Sequence, residues 1–126
     1  MGPNDVFVIA SNNKGKIDEF KTLLSPAKII PQSEIVQLEV DETGSTFFEN
    51  ALLKARGVAE FTNHNVIADD SGLIVPGLNN EPGLKSARYA SDDASDDENK
   101  EKLKSEMRRL GFKEMPAYFV LSLIHI

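Results

Sequence analysis

Val66–Val75 reads VIADDSGLIV. An apolar run enters two adjacent aspartates, Asp69 and Asp70, then Ser71-Gly72, then a second apolar run. Short apolar runs bounded by turn-forming residues read as buried strands. The stretch therefore predicts strands over Val66–Ala68 and Leu73–Val75, with the acids on a tight turn between them. A rigid strand end that presents groups on a loop is a frequent place for chemistry. Two adjacent carboxylates repel, and a divalent cation relieves the repulsion. The plainer reading is an exposed Asp-Ser-Gly turn, since all three residues favour turns.

Upstream, Val6–Ala10 (VFVIA) reads as a buried first strand that ends in the polar loop Ser11-Asn12-Asn13-Lys14-Gly15-Lys16. Ile17, Phe20, Leu23 and Leu24 then recur at helical spacing, with Pro26 as the stop. Val36, Leu38 and Val40 alternate with Gln37 and Glu39, predicting a half-buried second strand closed by Asp41-Glu42-Thr43-Gly44. Thr46 and Glu49 have capping-box spacing for a helix from about Phe47 to Phe61. Leu52, Ala55 and Ala59 form its expected core stripe, and Asn50 and Lys54 share another face.

Downstream, Gly77–Gly83 reads as a loop, and Ser95–Leu110 as a polar helix with Ser95 and Glu98 in a second capping box and Gly111 as its stop. The acids Asp92, Asp93, Asp96, Asp97 and Glu98 resemble a metal cluster, but acids gather at helix N-termini for the dipole alone. Ala117–Ile126 reads as an apolar strand. Strands alternating with helices give an α/β fold. The chain stops inside this apolar run, and the expectation is a piece of a longer reading frame.

Composition narrows the chemistry. The 126 residues carry a net charge of -6, with 40% hydrophobic and 27% charged residues, as in ordinary globular domains. An acidic balance argues against sequence-independent nucleic-acid binding. The chain has no cysteine, which removes thiolate nucleophiles and Cys-ligated zinc. His64 and His125 are isolated and read as surface or packing residues. No apolar stretch approaches the ~18 residues of a membrane span. No secretory leader or myristoylation pattern opens the chain. A cytoplasmic protein without a membrane partner is expected.

The loop Ser11–Lys16 follows a strand and opens a helix, where free N–H groups and the dipole favour anions. Lys14 and Lys16 add charge, and Gly15 permits close backbone approach. The loop lacks the longer Gly-bounded pattern of a Walker A motif. Alone, it reads better as a solvated loop with ordinary Asn/Gly turn chemistry. With Lys54 for phosphate and with Glu42, Asp69 and Asp70 for a hard cation, it forms a set suited to nucleotide hydrolysis.

These residues also carry a resemblance. SNNKGK (Ser11–Lys16), Glu42-Thr43-Gly44 with TFFENALLKA (Thr46–Ala55), ADDSGL (Ala68–Leu73), Pro82-Gly83 and SARY (Ser86–Tyr89) occur in order. The chain resembles the inosine triphosphate pyrophosphatase, or Ham1-like, family, closer to its bacterial and archaeal branch. The resemblance implies a mixed central sheet flanked by helices in an elongated two-lobed architecture. It implies a magnesium-dependent homodimeric enzyme that cleaves ITP, dITP or XTP to the monophosphate and pyrophosphate. By position, Ser11, Asn12, Asn13, Lys14, Gly15 and Lys16 would hold the triphosphate, with Asn13 and Lys16 nearest the phosphates. Lys54 would be a further phosphate contact, and Ser71 would lie near the substrate. Glu42 and Asp70 would ligate magnesium, and Asp70 would activate the attacking water. The role of Asp69 and of the SARY block stays open.

Residues 1–126 read as one domain, roughly the first two thirds of the family's. Family members continue into a Phe-Gly-Tyr-Asp-Pro segment and a Ser-His-Arg segment that complete the base pocket, and neither occurs here. Two other readings stand beside this one. A response-regulator receiver domain would carry its acids directly after the first strand, where SNNKGK stands. A nucleotide-binding fragment would keep these residues without turnover.

Overall fold

The structure is a computed structural model, described over residues 2–125. In chain order the elements are β1 (Val6–Ile9), α1 (Lys14–Leu23), β2 (Lys28–Pro31), α2 (Phe47–Ala59), β3 (Asn65–Val75), β4 (Glu81–Pro82), α3 (Asp96–Arg109) and β5 (Tyr118–His125). The sheet is mixed, in the order β2-β1-β3-β4, and β5 also pairs with β3. The chain divides into two compact units, Met1–Asp70 with Ser122–Ile126 and Ser71–Leu121.

In the first unit β1 is the central strand. It pairs in parallel with β2, Val6 opposite Lys28 through Ile9 opposite Pro31, and with β3, Phe7 opposite Asn65 through Ile9 opposite Ile67. Successive strand residues point to opposite faces, so each strand feeds two cores. Phe7, Ile9, Ile29 and Ile67 pack with Ile17 of α1, and Phe20 and Leu24 close over them. Val8, Ala10, Val66 and Ala68 pack with Ala55 and Val58 of α2. The two helices thus cover opposite faces of the parallel strands. Val8, Val66 and Val58 are fully buried, each contributing about 1.5–3 kcal/mol by burial.

In the second unit β3 turns into β4 as an antiparallel pair, Ile74 opposite Pro82 and Val75 opposite Glu81. Asn79 and Asn80 take positive φ in the connection, a conformation asparagine tolerates better than most residues. Helix α3 carries the expected complete capping box: Ser95 Oγ accepts from the Glu98 N–H at 3.2 Å, and Glu98 Oε1 accepts from the Ser95 N–H at 2.9 Å. Gly111 follows with φ +79°. Among the described residues no helix is long and apolar enough to cross a membrane.

Several local expectations change. The segment VIADDSGLIV is one continuous strand, so Asp69 and Asp70 lie within β3 and not on a turn. Ladder bonds to β1 at its start and to β4 at its end hold it extended. Val36–Val40 is not a strand. Its alternation is real, with Val36, Leu38 and Val40 half-buried and Gln37 and Glu39 exposed. Both edges of β1 are already taken, however, by β2 and β3. The segment instead rides on α2: a Cβ at Gly57 would come within 2.8 Å of Val40 Cγ2 and 3.4 Å of Leu38 Cδ2. Gln32 Nε2 donates to the Leu38 carbonyl at 2.6 Å and fastens it.

The second strand is Lys28–Pro31, an edge position where a proline costs no ladder bond. The stripe of α2 is Ala51, Ala55 and Val58, with Leu52 and Ala59 half-buried. The Thr46 cap forms, with its Oγ1 accepting from the Glu49 N–H at 3.0 Å. Glu49 reaches back one residue further than a capping box requires, to the Ser45 N–H at 2.8 Å. The predicted terminal strand is present over Tyr118–His125, and Ile126 lies outside the described residues. Phe119, Leu121 and Leu123 are exposed along it.

Candidate active site

The first unit gathers most of the predicted site residues around the point where β3 passes Ala68. The loop Ser11–Lys16 leaves β1 and opens α1. Ser11 Oγ accepts from the Asn13 N–H at 3.0 Å, and Asn13 Oδ1 caps the helix by accepting from the Lys16 N–H at 3.2 Å. Asn13 thus has a structural task beside any ligand contact. Asn12, Lys14 and Gly15 are exposed on this loop. The first turn of α1 has no acidic residue, which keeps its positive end open to an anion.

Strand alternation separates the two aspartates. Asp69 shares the face of Ile67, the α1 side, and its Oδ2 lies 2.8 Å from Lys16 Nζ. Asp70 shares the face of Val66 and Ala68, the α2 side. Both are buried, at 4% and 7% exposure. The adjacent acids are therefore not a carboxylate pair. Asp70 pairs instead with Glu42, twenty-eight positions earlier in the chain.

Burial first, and the negative charge of Glu42 second, push the Asp70 carboxyl above its ordinary value of 3.8. Lys54, the Asn50 side chain and Lys16 act against that rise. Lys54 Nζ lies 3.4 Å from Glu42 Oε1, so the two carboxylates and this lysine form one cluster. A largely buried cluster of this kind has the chemistry of a hard-cation site: oxygen donors, mutual repulsion, and a neighbouring cation. Magnesium is commonly held by one or two carboxylates completed by phosphates and water, and the Glu42–Asp70 donor set fits that pattern.

Asn50 is a site residue that its sequence context concealed. Placed on a different face from the expected apolar stripe, it takes no site role from the sequence, yet it is fully buried. Its Oδ1 accepts from the Gly44 N–H at 2.7 Å. The loop carrying Glu42 is thereby tied to the start of α2, close to Asp70. The signal available was the close spacing of Gly44, the Thr46 cap and Asn50, which forces the loop back over the helix start.

The remaining predicted residues lie elsewhere. Ser71 follows Asp70 on β3, half-buried, and belongs to the second unit. There the Ser86–Tyr89 block is a brace. Ser86 Oγ accepts from the Leu73 N–H at 2.8 Å and donates to the Gly83 carbonyl at 2.7 Å. Lys102 of α3 donates to the Tyr89 carbonyl at 2.9 Å and stands 4.4 Å above its ring. Burial and Glu81 push the Tyr89 hydroxyl up to about 12. Asn99 Nδ2 donates to the Ala87 carbonyl at 2.9 Å. Asp96, Asp97 and Glu98 lie in the first turn of α3, where Glu98 completes the cap, and no group of three or more metal-ligating side chains occurs among the described residues. His125 packs edge-on against Phe7 at 5.7 Å, and His64 is exposed.

Comparison with known proteins bears on this arrangement. Residues 7–126 match the Ham1 family. The dITP/XTP pyrophosphatase of Legionella pneumophila (strain Paris) is 46% identical over 112 residues, covering 89% of this chain and 58% of that protein. The dITP/XTP pyrophosphatase of Staphylococcus aureus (strain MW2) is 52% identical over 101 residues, covering 79% of this chain and 52% of that protein. The chain thus spans little more than half the length of these relatives. Among solved structures, the Staphylococcus aureus Ham1 protein superposes with a TM-score of 0.82 at 47% identity, covering 97% of this chain and 63% of its own. A HAM1 protein from Coxiella burnetii gives 0.86 at 38% identity, with the same coverage. By sequence along nearly its whole length, and by fold, this chain belongs to the Ham1 family.

Proposed function

We propose that this chain is the catalytic part of a nucleoside-triphosphate pyrophosphatase that removes deaminated purine nucleotides, dITP, ITP or XTP, from the nucleotide pool. The observation that carries the reading is the division of labour along β3: Asp70 with Glu42 and Lys54 on one face, Asp69 with Lys16 on the other. Relatives bearing the name dITP/XTP pyrophosphatase support the substrate class.

In this reading the loop Ser11–Lys16 and Lys54 bind the triphosphate through backbone N–H groups and ammonium ions. Glu42 and Asp70 would hold magnesium, which when bound would supply positive charge against the phosphates. Asp70, whose burial raises its proton affinity, takes the proton of a water that attacks the α-phosphorus in line. The new bond is water oxygen to α-phosphorus. The bond broken joins the α-phosphorus to its bridging oxygen, and pyrophosphate leaves with that electron pair. Ser71, next after Asp70, lies near the substrate. The working form is a cytoplasmic homodimer, and light scattering on the purified protein tests the dimer.

The deciding experiment measures pyrophosphate release from ITP, XTP and GTP with and without magnesium. Magnesium-dependent release that favours ITP and XTP over GTP is the expected result. Nucleotide binding without release would make the chain a nucleotide-binding unit, and neither binding nor release would end the reading.

A further inference from the structure

Asp69 has no part in the chemistry just described, yet it is among the most buried charged groups of the chain, at 4% exposure. Its Oδ2 meets Lys16 Nζ at 2.8 Å. Its Oδ1 is buried without a hydrogen-bond partner among the described residues. Lys16 is thus the contact that offsets a buried charge, and burying an uncompensated carboxylate is costly. The Lys16 side chain is 31% exposed, so it is held by Asp69 without being closed off from solvent. An ammonium has three N–H donors. One is directed at Asp69, and the others remain for a ligand at the loop.

The geometry points to Asp69 as a positioning residue that acts through Lys16. It fixes the ammonium beside the loop before any ligand arrives, so that a polyphosphate meets an ordered donor and not a mobile four-carbon chain. Asp69 touches no substrate in this role. The inference rests on the triphosphate reading of the loop Ser11–Lys16.

Charge and position act in opposite directions here, which makes the role measurable. As a bare negative charge, Asp69 repels a polyphosphate, and its removal should tighten binding. As the holder of Lys16, its removal should weaken binding by about two- to tenfold, the cost of immobilising one long side chain. A double-mutant cycle separates the two effects.

Inorganic tripolyphosphate is titrated calorimetrically into the chain, Asp69→Asn, Lys16→Met and the double variant, without metal and at fixed ionic strength. Asp69→Asn should weaken binding when Lys16 is present and tighten it, or leave it unchanged, when Lys16 is Met. No weakening in the presence of Lys16, or equal weakening in its absence, overturns the role. A readout that needs no variant is the 15N relaxation of the lysine ammonium groups in the unaltered chain. Lys16 should be markedly more ordered than the exposed Lys113, and equal mobility overturns the role. Tripolyphosphate affinity indifferent to Lys16→Met overturns the loop assignment and this inference with it. Lost ITP turnover with the Lys16–Asp69 coupling intact strikes only the catalytic reading.

Discussion

The Gly44 amide donates to Asn50 Oδ1 at 2.7 Å, and a Cβ at Gly44 would stand 2.6 Å from that same oxygen and 2.6 Å from Glu49 Cβ. The backbone carrying Glu42 therefore meets the start of α2 at a distance only glycine allows. Gly44→Ala should lower stability by about 1–3 kcal/mol, as overpacking does. It should also loosen Glu42 from Asp70. Urea denaturation checks the first effect. A fall in the Asp70 titration midpoint, read by carboxyl 13C shifts in metal-free protein, checks the second.

Asp70→Asn should reduce pyrophosphate release from ITP by at least about a hundredfold, the lower bound for loss of a general base. The fold should survive, because the substitution keeps the shape and removes a desolvated charge beside Glu42. A thermal midpoint equal to or above that of the parent is expected. Near-normal turnover would remove Asp70 from the mechanism.

The pH dependence follows from the sign of the shift. Asp70 is raised above 3.8 by burial and then by Glu42. A group of this kind stabilises the fold fully below its unfolded pKa and loses that contribution as pH rises through the folded value. In metal-free protein the Asp70 contribution to stability should therefore decline as pH climbs above 3.8. Asp70→Asn should flatten that part of the profile, and thermal scans across the acid range would show it.

Magnesium should raise the thermal midpoint of the chain by preferential binding to the folded state. Glu42→Gln should abolish most of that rise while leaving the metal-free midpoint within a few degrees. A magnesium response that is unchanged in Glu42→Gln would exclude Glu42 as a ligand.

Ser86→Ala should leave the Leu73 N–H without its acceptor, at a cost of about 1–3 kcal/mol. Its effect belongs to stability, so the urea midpoint should fall while KM for ITP stays put. A raised KM with unchanged stability would move the block from brace to substrate contact.

Much of this was legible in the residues themselves, and the failures have physical causes. The strand–loop–helix opening at 6–24 and both helix caps follow from local chemistry, and local chemistry is what a sequence displays. The period-two pattern at 36–40 correctly named the residues that turn inward. It did not reveal that they turn toward Gly57 of a helix, because a half-buried extended segment has the same alternation with or without a ladder. Asp-Asp-Ser-Gly reads as a turn by propensity, and ladder bonds on either side of it overrode that preference. Lys16, Lys54, Glu42 and Asp70 were identifiable as candidates. Which acid faces which lysine depends on strand register, and no local pattern encodes it.

That register has a further consequence. Because β3 lies against β1 with Ile67 opposite Ile9, a slip or deletion of a single residue before Asp69 would trade the occupants of the two faces. The carboxylate now beside Lys16 would turn to the face of the Glu42 cluster, and its neighbour would turn to the face of the loop. Point substitutions can damage one half of the site and spare the other. A frame error of one position in this strand damages both at once, so this short run should tolerate replacement far better than insertion or loss.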